Sequence, residues 1–391
     1  MFALNVGGLP MISKSTTRRR SRCVVRSRTV AAIALPILTV TGCSSTTGPA
    51  NATDIASLIE HYDVPGVSIA VIRDFELDYV EVHGVKSVTT LEPVTEGTLF
   101  QAASLSKGVS ATAVMSLVQA GTVSLDTEIN DYLVQWKLTH NSLQDSEQVT
   151  LRRLLSHTAG TTVGGFRGYR YNEPVPSLIQ ILNGYPPANS PPIVVDLVPG
   201  SQFRYSGGGY LVMQQAVQDV TGLEYSDFIR QRVLQPIGMG ESTYEHPLPD
   251  SLQDSAASGY YADGVAVPGG HHIYPEVAAA SLWTTSSDLA RFLIELQLSL
   301  RGESNRVLSQ DNAGVLLTEV KRDYGLGFGL WVDRGQAYFG HDGANDGFRC
   351  RMVAHRSLGY GLVILTNSDR ASEMFDAVRQ LIGEREGWPG Y

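Results

Sequence analysis

The sequence predicts a mixed α/β (α+β) domain: an antiparallel sheet built from both chain ends, flanked by helices, with a helical lobe inserted between. Three observations carry that prediction. Apolar runs of strand length fall in two groups, one before residue 85 and one after residue 327, and the segment between them has helical periodicity and loops. A chain of 391 residues with 43% hydrophobic and 18% charged residues can bury a sizeable core. No internal repeat or second long linker divides it. One unit with two lobes is expected: an α/β lobe of about residues 53–100 and 270–391, and a helical lobe of about 101–269.

The amino-terminal segment reads as an export signal. Arg18, Arg19, Arg20, Arg22, Arg26 and Arg28 precede the twelve-residue apolar run Thr29–Val40, which is followed by "TGCSS". A run that short, with Pro36 inside it, falls below the roughly 20 residues a membrane-spanning helix needs. A basic flank, a short apolar run and small residues follow the order of a secretory signal. Val40-Thr41-Gly42-Cys43 resembles the bacterial lipobox, whose cysteine is lipidated and becomes the new first residue. Residues 1–43 are therefore expected to be a signal peptide with a lipobox Cys43, and residues 44–52 a flexible tether. The expected place is the outer face of a bacterial membrane, held by a lipid anchor.

Charge and cysteine usage agree with that reading. Residues 1–43 carry seven of the 30 Lys and Arg and no acid, leaving 23 basic against 39 acidic residues, a net charge of −16. An acidic body argues against nucleic acid as a partner. Of three cysteines, Cys23 and Cys43 lie in the leader and Cys350 in a strand pattern, so neither a disulfide nor metal-ligand spacing is available. Cys350 reads as a small buried hydrophobe.

Along the body, Asn51–Tyr62 has a helical pattern with Thr53 as N-cap. "VSIAVI" (Val67–Ile72) and "LDYVEV" (Leu77–Val82) read as a β-hairpin. "LFQAASLSKGVSATAVM" (Leu99–Met115) starts a helix at Ser104, with Val109, Ala113 and Leu117 on its apolar stripe and Gly121 at its end. Further helices are expected after Thr150, over Tyr210–Val220 to Gly222, over Ser226–Leu234 ahead of Pro236, and over Asp288–Leu300 to Gly302. "FGLWVD", "AYFGH", "FRCRMVAH" and "YGLVILT" read as strands, and Glu373–Glu386 as a final amphipathic helix.

Chemistry enters at Ser104 and Lys107, three apart and hence on one helical face. A serine hydroxyl is a weak nucleophile unless a neighbouring base takes its proton. A desolvated lysine can lose enough of its ordinary pKa, ~10.4, to serve. A serine at a helix start also meets free backbone N–H groups that favour developing negative charge. Ser-x-x-Lys alone is a weak signal, since about 0.4 matches are expected by chance in such a chain. Two later stretches add to it: "FRYSGGGY", with Tyr205 in a glycine-rich turn before a helix, and "YFGHDGANDGF", with His341-Asp342-Gly343 at a strand end.

With these residues the chain resembles the serine β-lactamase and penicillin-binding-protein-like family, in its class C, DD-peptidase and esterase-like branch. That family carries Ser-x-x-Lys, then Tyr-x-Asn, then Lys/His-x-Gly. "VPGVSIAVIRD", "TLFQAASLSKG", "LDTEINDYL", "TLRRLLSHTAG", "FRYSGGGY", "SLWTTSSDLARF", "GHDGANDGF" and "GLVILTNSD" follow in the family's order from about Val64 to Asp369. The resemblance implies a β-lactamase/transpeptidase-like fold in which Ser104 is the acylated nucleophile. It further implies that Lys107 and Tyr205 share base and proton-shuttle work, that the Ser104 and Ala344 N–H groups form the oxyanion hole, and that His341 lines the site. Gly343 belongs to the strand motif at the substrate. No metal or cofactor is implied.

At one position the chain departs from the family pattern. Gly207 stands where the asparagine of Tyr-x-Asn would bind substrate, so no side-chain amide meets an acylamido group. With His341 in place of lysine, this leans towards small esters or D-amino-acid peptides of the cell wall rather than β-lactams. The alternative is a catalytically weak binding protein for peptidoglycan or a protein partner; the retained Ser104, Lys107, Tyr205 and His341 count against it. Other motifs carry less. Gly66-x-Ser68 lacks the second glycine of a nucleophile elbow, and His271-His272 lack a metal-binding context. His157 reads as a partner for local backbone, "GLGFG" has no dinucleotide spacing, and Trp283 and Trp331 read as packing residues, with a place at a cleft edge as the alternative.

Overall fold

The apolar runs at the two chain ends pair with each other in the computed structural model, which describes residues 54–391. In chain order the strands are β1 (Gly66–Arg73), β2 (Glu76–Gly84), β3 (Phe100–Gln101), β4 (Trp283–Thr284), β5 (Gly329–Asp333), β6 (Gln336–Asn345), β7 (Phe348–His355) and β8 (Gly361–Thr366). Six form one antiparallel sheet in the order β2-β1-β8-β7-β6-β5, and β3 pairs with β4 separately. The expected fold class holds. The leader, the Cys43 lipobox and the tether of residues 44–52 lie outside the described residues.

Burial on both faces explains why β1 and β8 read as continuous apolar runs. Val67, Ile69, Val71, Leu362 and Ile364 pack with the helices Ile55–His61 and Phe375–Glu386. Ala70, Ile72, Val363 and Leu365 point the other way, into the larger core that includes the helix Ser286–Arg301. Cys350 is fully buried in β7, with its thiol 3.2 Å from the Gln101 carbonyl oxygen. Among the described residues no helix is long and apolar enough to cross a membrane.

Local signals place several helix ends. Thr150 caps Leu151–Leu155, and Gly222 and Gly302 end their helices in the left-handed conformation. Four boundaries differ from expectation. The first helix starts at Ile55 because the Asp54 carboxylate accepts from Ser57 N–H at 2.8 Å, and Thr53 lies outside the described residues. The helix expected from Ser104 begins at Ser106, and Ser104 sits in a preceding 3₁₀ turn, Ala103–Leu105. The glycines after Tyr205 are the first turn of the helix Gly207–Thr221, capped by Ser206, rather than a turn before it. The helix near Ser226 continues through Pro236 to Ile237, because a π-helical segment, Arg230–Leu234, widens the backbone where the proline lacks its N–H.

One buried acid lacks a partner. Glu276 is fully buried ahead of the single turn Val277–Ala280, and neither carboxylate oxygen has a hydrogen-bond partner. Loss of water pushes its pKa up to about 8. Between the ordinary 4.5 and about 8 the folded chain keeps a proton that the unfolded chain has released, so this group costs stability as pH rises through that window. Glu276→Gln is expected to match wild type in thermal unfolding near pH 4 and to exceed it increasingly up to pH 8. A constant difference across that range would refute the argument.

Candidate active site

The turn that carries Ser104 is forced by its neighbours. Ala103 has φ of +51°, a left-handed conformation unusual for alanine, directly before Ser104. Strand β6 lies against this turn so closely that a Cβ at Gly343 would fall 2.4 Å from the Ala102 carbonyl oxygen. Asn345 Nδ2 donates to Gln101 Oε1 at 3.0 Å and to the Ala280 carbonyl at 3.2 Å, tying the end of β6 to β3 and to the turn after Glu276.

Lys107, one turn later, is 2% exposed. Its Nζ lies 2.9 Å from Ser104 Oγ and 2.8 Å from the Ala279 carbonyl oxygen, and 5.0 Å from the Tyr205 ring centroid. Burial alone drives its pKa down to about 7. The Ala279 carbonyl is held in place by its own neighbours: Ser110 Oγ donates to the Ala278 carbonyl at 2.9 Å, and the Ala278 N–H donates to Gln214 at 3.0 Å.

Tyr205 is brought to the same place by His157. The Arg204 N–H donates to the His157 carbonyl at 2.8 Å, the Ser206 N–H donates to His157 Nδ1 at 3.1 Å, and the rings of His157 and Tyr205 lie 4.1 Å apart. The backbone partnership expected of His157 is therefore present, and it brackets the tyrosine. Burial holds the His157 pKa well below its usual value, so the ring is neutral, and Nδ1, as acceptor, leaves the proton on Nε2. Burial also lifts the Tyr205 phenol above its usual range. His341 Nε2 is 3.4 Å from the Tyr205 hydroxyl, while His341 Nδ1 donates to the Asp342 carbonyl at 2.6 Å. Burial first, then the Lys107 charge, pushes His341 down to about 4, so it is a neutral acceptor towards Tyr205.

Ala344 lies on the sheet's free edge. Pairing in β5–β6 covers Gln336–Gly340 only. Asn345 and Phe348 flank a two-residue hairpin turn and form a hydrogen-bonded pair, so alternation points the Ala344 N–H away from β7. Gly207 is buried: its N–H donates to the Gly164 carbonyl at 3.1 Å, and a Cβ there would lie 2.8 Å from the Phe166 ring. The space of the missing asparagine is filled by a phenyl ring.

The other singled-out residues have structural settings. His272 is buried, with Nδ1 3.0 Å from the Arg167 carbonyl oxygen, and His271 packs edge-on against the buried Trp283. Among the described residues no three His, Cys, Asp or Glu side chains gather as for a metal ion. Sequence reasoning missed the Ala279 carbonyl and Tyr324, whose ring lies 5.0 Å from that of His157 and 6.2 Å from that of His341; an alanine within "VAAAS" carries no local signal of such a role.

The chain matches the model of the Beta-lactamase family over residues 52–385, and it belongs to that family. It is 27% identical over 346 residues to penicillin-binding protein 4 of Amycolatopsis lactamdurans, an alignment covering 84% of this chain and 87% of that one. Its fold is similar to the octameric penicillin-binding protein homologue from Pyrococcus abyssi, with a TM-score of 0.66 and 22% identity over 84% of this chain and 76% of that one. D-alanine carboxypeptidase AmpC from Burkholderia cenocepacia is likewise similar in fold, with a TM-score of 0.66 and 21% identity over 84% of this chain and 96% of that one.

Proposed function

We propose that the protein is a serine hydrolase that transfers an acyl group from small esters or amides, D-amino-acid peptides among them, to Ser104 and then to water. The observation that carries this reading is Lys107, buried 2.9 Å from Ser104 Oγ with a pKa near 7. A lysine so placed loses its proton far more readily than an exposed one and is within reach of the serine proton. The raised Tyr205 phenol is a poor first base, so the first proton goes to Lys107.

In acylation, Ser104 Oγ bonds to the substrate carbonyl carbon as Lys107 Nζ takes the hydroxyl proton. The oxyanion is met by the Ser104 and Ala344 N–H groups. The carbon–oxygen or carbon–nitrogen bond then breaks, and Tyr205 gives its proton to the departing atom while Lys107 restores it. His341 orients the phenol. Water repeats the sequence in deacylation. Phe166 over Gly207 leaves the acyl side without an amide donor, which favours small acyl groups over acylamido ones.

Intact-mass analysis of the full chain with a fluorophosphonate and with a penicillin tests this reading, with Ser104→Ala as control. Stoichiometric fluorophosphonate adducts absent from the variant are expected. No adduct on folded protein would leave the alternative, a binding protein. The same reading has the chain exported and anchored through a lipid on Cys43. Cys43→Ala is expected to move the protein from the membrane fraction to the soluble one, and unchanged fractionation would refute the anchor.

A further inference from the structure

A cleft of about 530 Å³ is lined by Tyr205 and His341 of the candidate site and reaches the edge strand β5. Tyr205, His341, Tyr324 and Trp331 are among its walls, and the exposed Asp342 and Asp376 stand at its mouth. Gly329 and Gly340 pair across the β5–β6 ladder, and both line the cleft. A Cβ at Gly340 would fall 2.2 Å from the Met352 carbonyl oxygen, whereas one at Gly329 meets nothing nearer than 3.6 Å. Position 329 is thus open space that the fold leaves unfilled.

The lining assigns the cleft to one half of a substrate. Tyr205, which on the hydrolase reading gives its proton to the departing atom, forms part of the wall together with His341. Neither Ala344, whose N–H meets the oxyanion, nor Phe166, on the acyl side, lines it. The departing half is therefore the one that reaches the cleft.

Charge at the mouth has a sign. The Asp342 and Asp376 side chains are 61% and 62% exposed, whereas Arg351 between them is 21% exposed. Arg351 is shared, donating to both oxygens of Asp342 and to Oδ1 of Asp376, so the trio carries one net negative charge. The remaining cation of the wall, Arg379, stacks on the Tyr338 ring and pairs with Asp333 at 3.0 Å. Aromatic walls and a net-acidic mouth suit a flat ring with a cationic end.

We propose that this cleft binds the departing half of the substrate and selects alcohols or amines that carry an aromatic ring ending in a positive charge. The inference takes its direction from the hydrolase reading above. Three acetate esters that differ in the departing alcohol test it: ethyl, 4-ethylbenzyl and 4-(aminomethyl)benzyl. kcat/KM is expected to rise about tenfold from ethyl to 4-ethylbenzyl, and about threefold more for the ammonium ester. Gly329→Leu, which projects into the cleft, should remove the ring preference; Asp376→Asn should remove the ammonium preference alone. Binding of 4-(aminomethyl)benzyl alcohol to Ser104→Ala, read by tryptophan fluorescence, should weaken about tenfold when Gly329→Leu is added. Unchanged ester preferences and unchanged alcohol binding in the Gly329→Leu background would overturn the proposal. Failure of the hydrolase reading shows separately, as no fluorophosphonate adduct on wild type, and the cleft is then judged by alcohol binding.

Discussion

Lys107→Arg is expected to lower the rate of Ser104 acylation by about 10³-fold or more, the upper part of the range for general-base loss. The guanidinium cannot be deprotonated in a protein, so charge and hydrogen bonding persist while the base is lost. Lys107 itself becomes a base only where it sheds its proton, and burial brings that point from 10.5 down to about 7. Acylation by wild type should therefore fall about tenfold per pH unit below 7 and level off above it. The same shift has a cost. Between about pH 7 and 10.5 the unfolded chain holds a proton that the folded chain has released, so this group's contribution to stability improves as pH rises. Below pH 7 the full cost of burying the ammonium is present. Lys107→Met should accordingly unfold at a higher temperature than wild type at pH 6, with the gain gone above pH 10.5. Rapid labelling of Lys107→Arg by the fluorophosphonate, or a flat acylation profile between pH 5 and 8, would remove lysine from the role of base.

Gly343→Ala is expected to cost about 10²-fold in acylation while the fold survives. The added methyl would lie 2.4 Å from the Ala102 carbonyl oxygen and 3.4 Å from the Ala103 side chain. Ala102 cannot give way freely, because its carbonyl already accepts the Leu105 N–H at 3.0 Å and its own N–H donates to Leu282 at 2.8 Å. Strand β6 must move instead, carrying the Ala344 N–H away from Ser104. Fluorophosphonate labelling rates, alongside thermal unfolding, separate the two effects. A variant that labels within threefold of wild type would show that the tight approach is not needed for the oxyanion hole.

Much of this molecule is readable residue by residue. The central strands announce themselves as unbroken apolar runs, and Thr150, Gly222 and Gly302 mark helix ends through their own backbone chemistry. Two of the boundaries that differ are set by partners far along the chain, and two by local features, the Asp54 cap on Ser57 and the π-helical segment before Pro236. Ala103 is held left-handed beside a strand some 240 residues later, so the helix starts after Ser104 rather than at it. Three successive glycines begin a helix because the Ser206 hydroxyl caps Gly209 and is itself held by the Thr162 carbonyl. Propensity alone would not place them there.

The residue types of the candidate site were legible in the same way, as Ser104, Lys107, Tyr205 and His341 in their order, and so was the departure at Gly207. Their meeting was not. Tyr205 and His341 are 136 positions apart and come within 3.4 Å only because the sheet closes on the helical lobe. Local patterns carry the order of the elements, the two-ended sheet and the set of reactive groups, because apolar period, caps and side-chain chemistry act over a few residues. Tertiary structure alone decided the lysine's lowered pKa, the ring over Gly207 and the open cleft at Gly329. Desolvation and close approach depend on what distant segments bring to one point, and no local pattern encodes that.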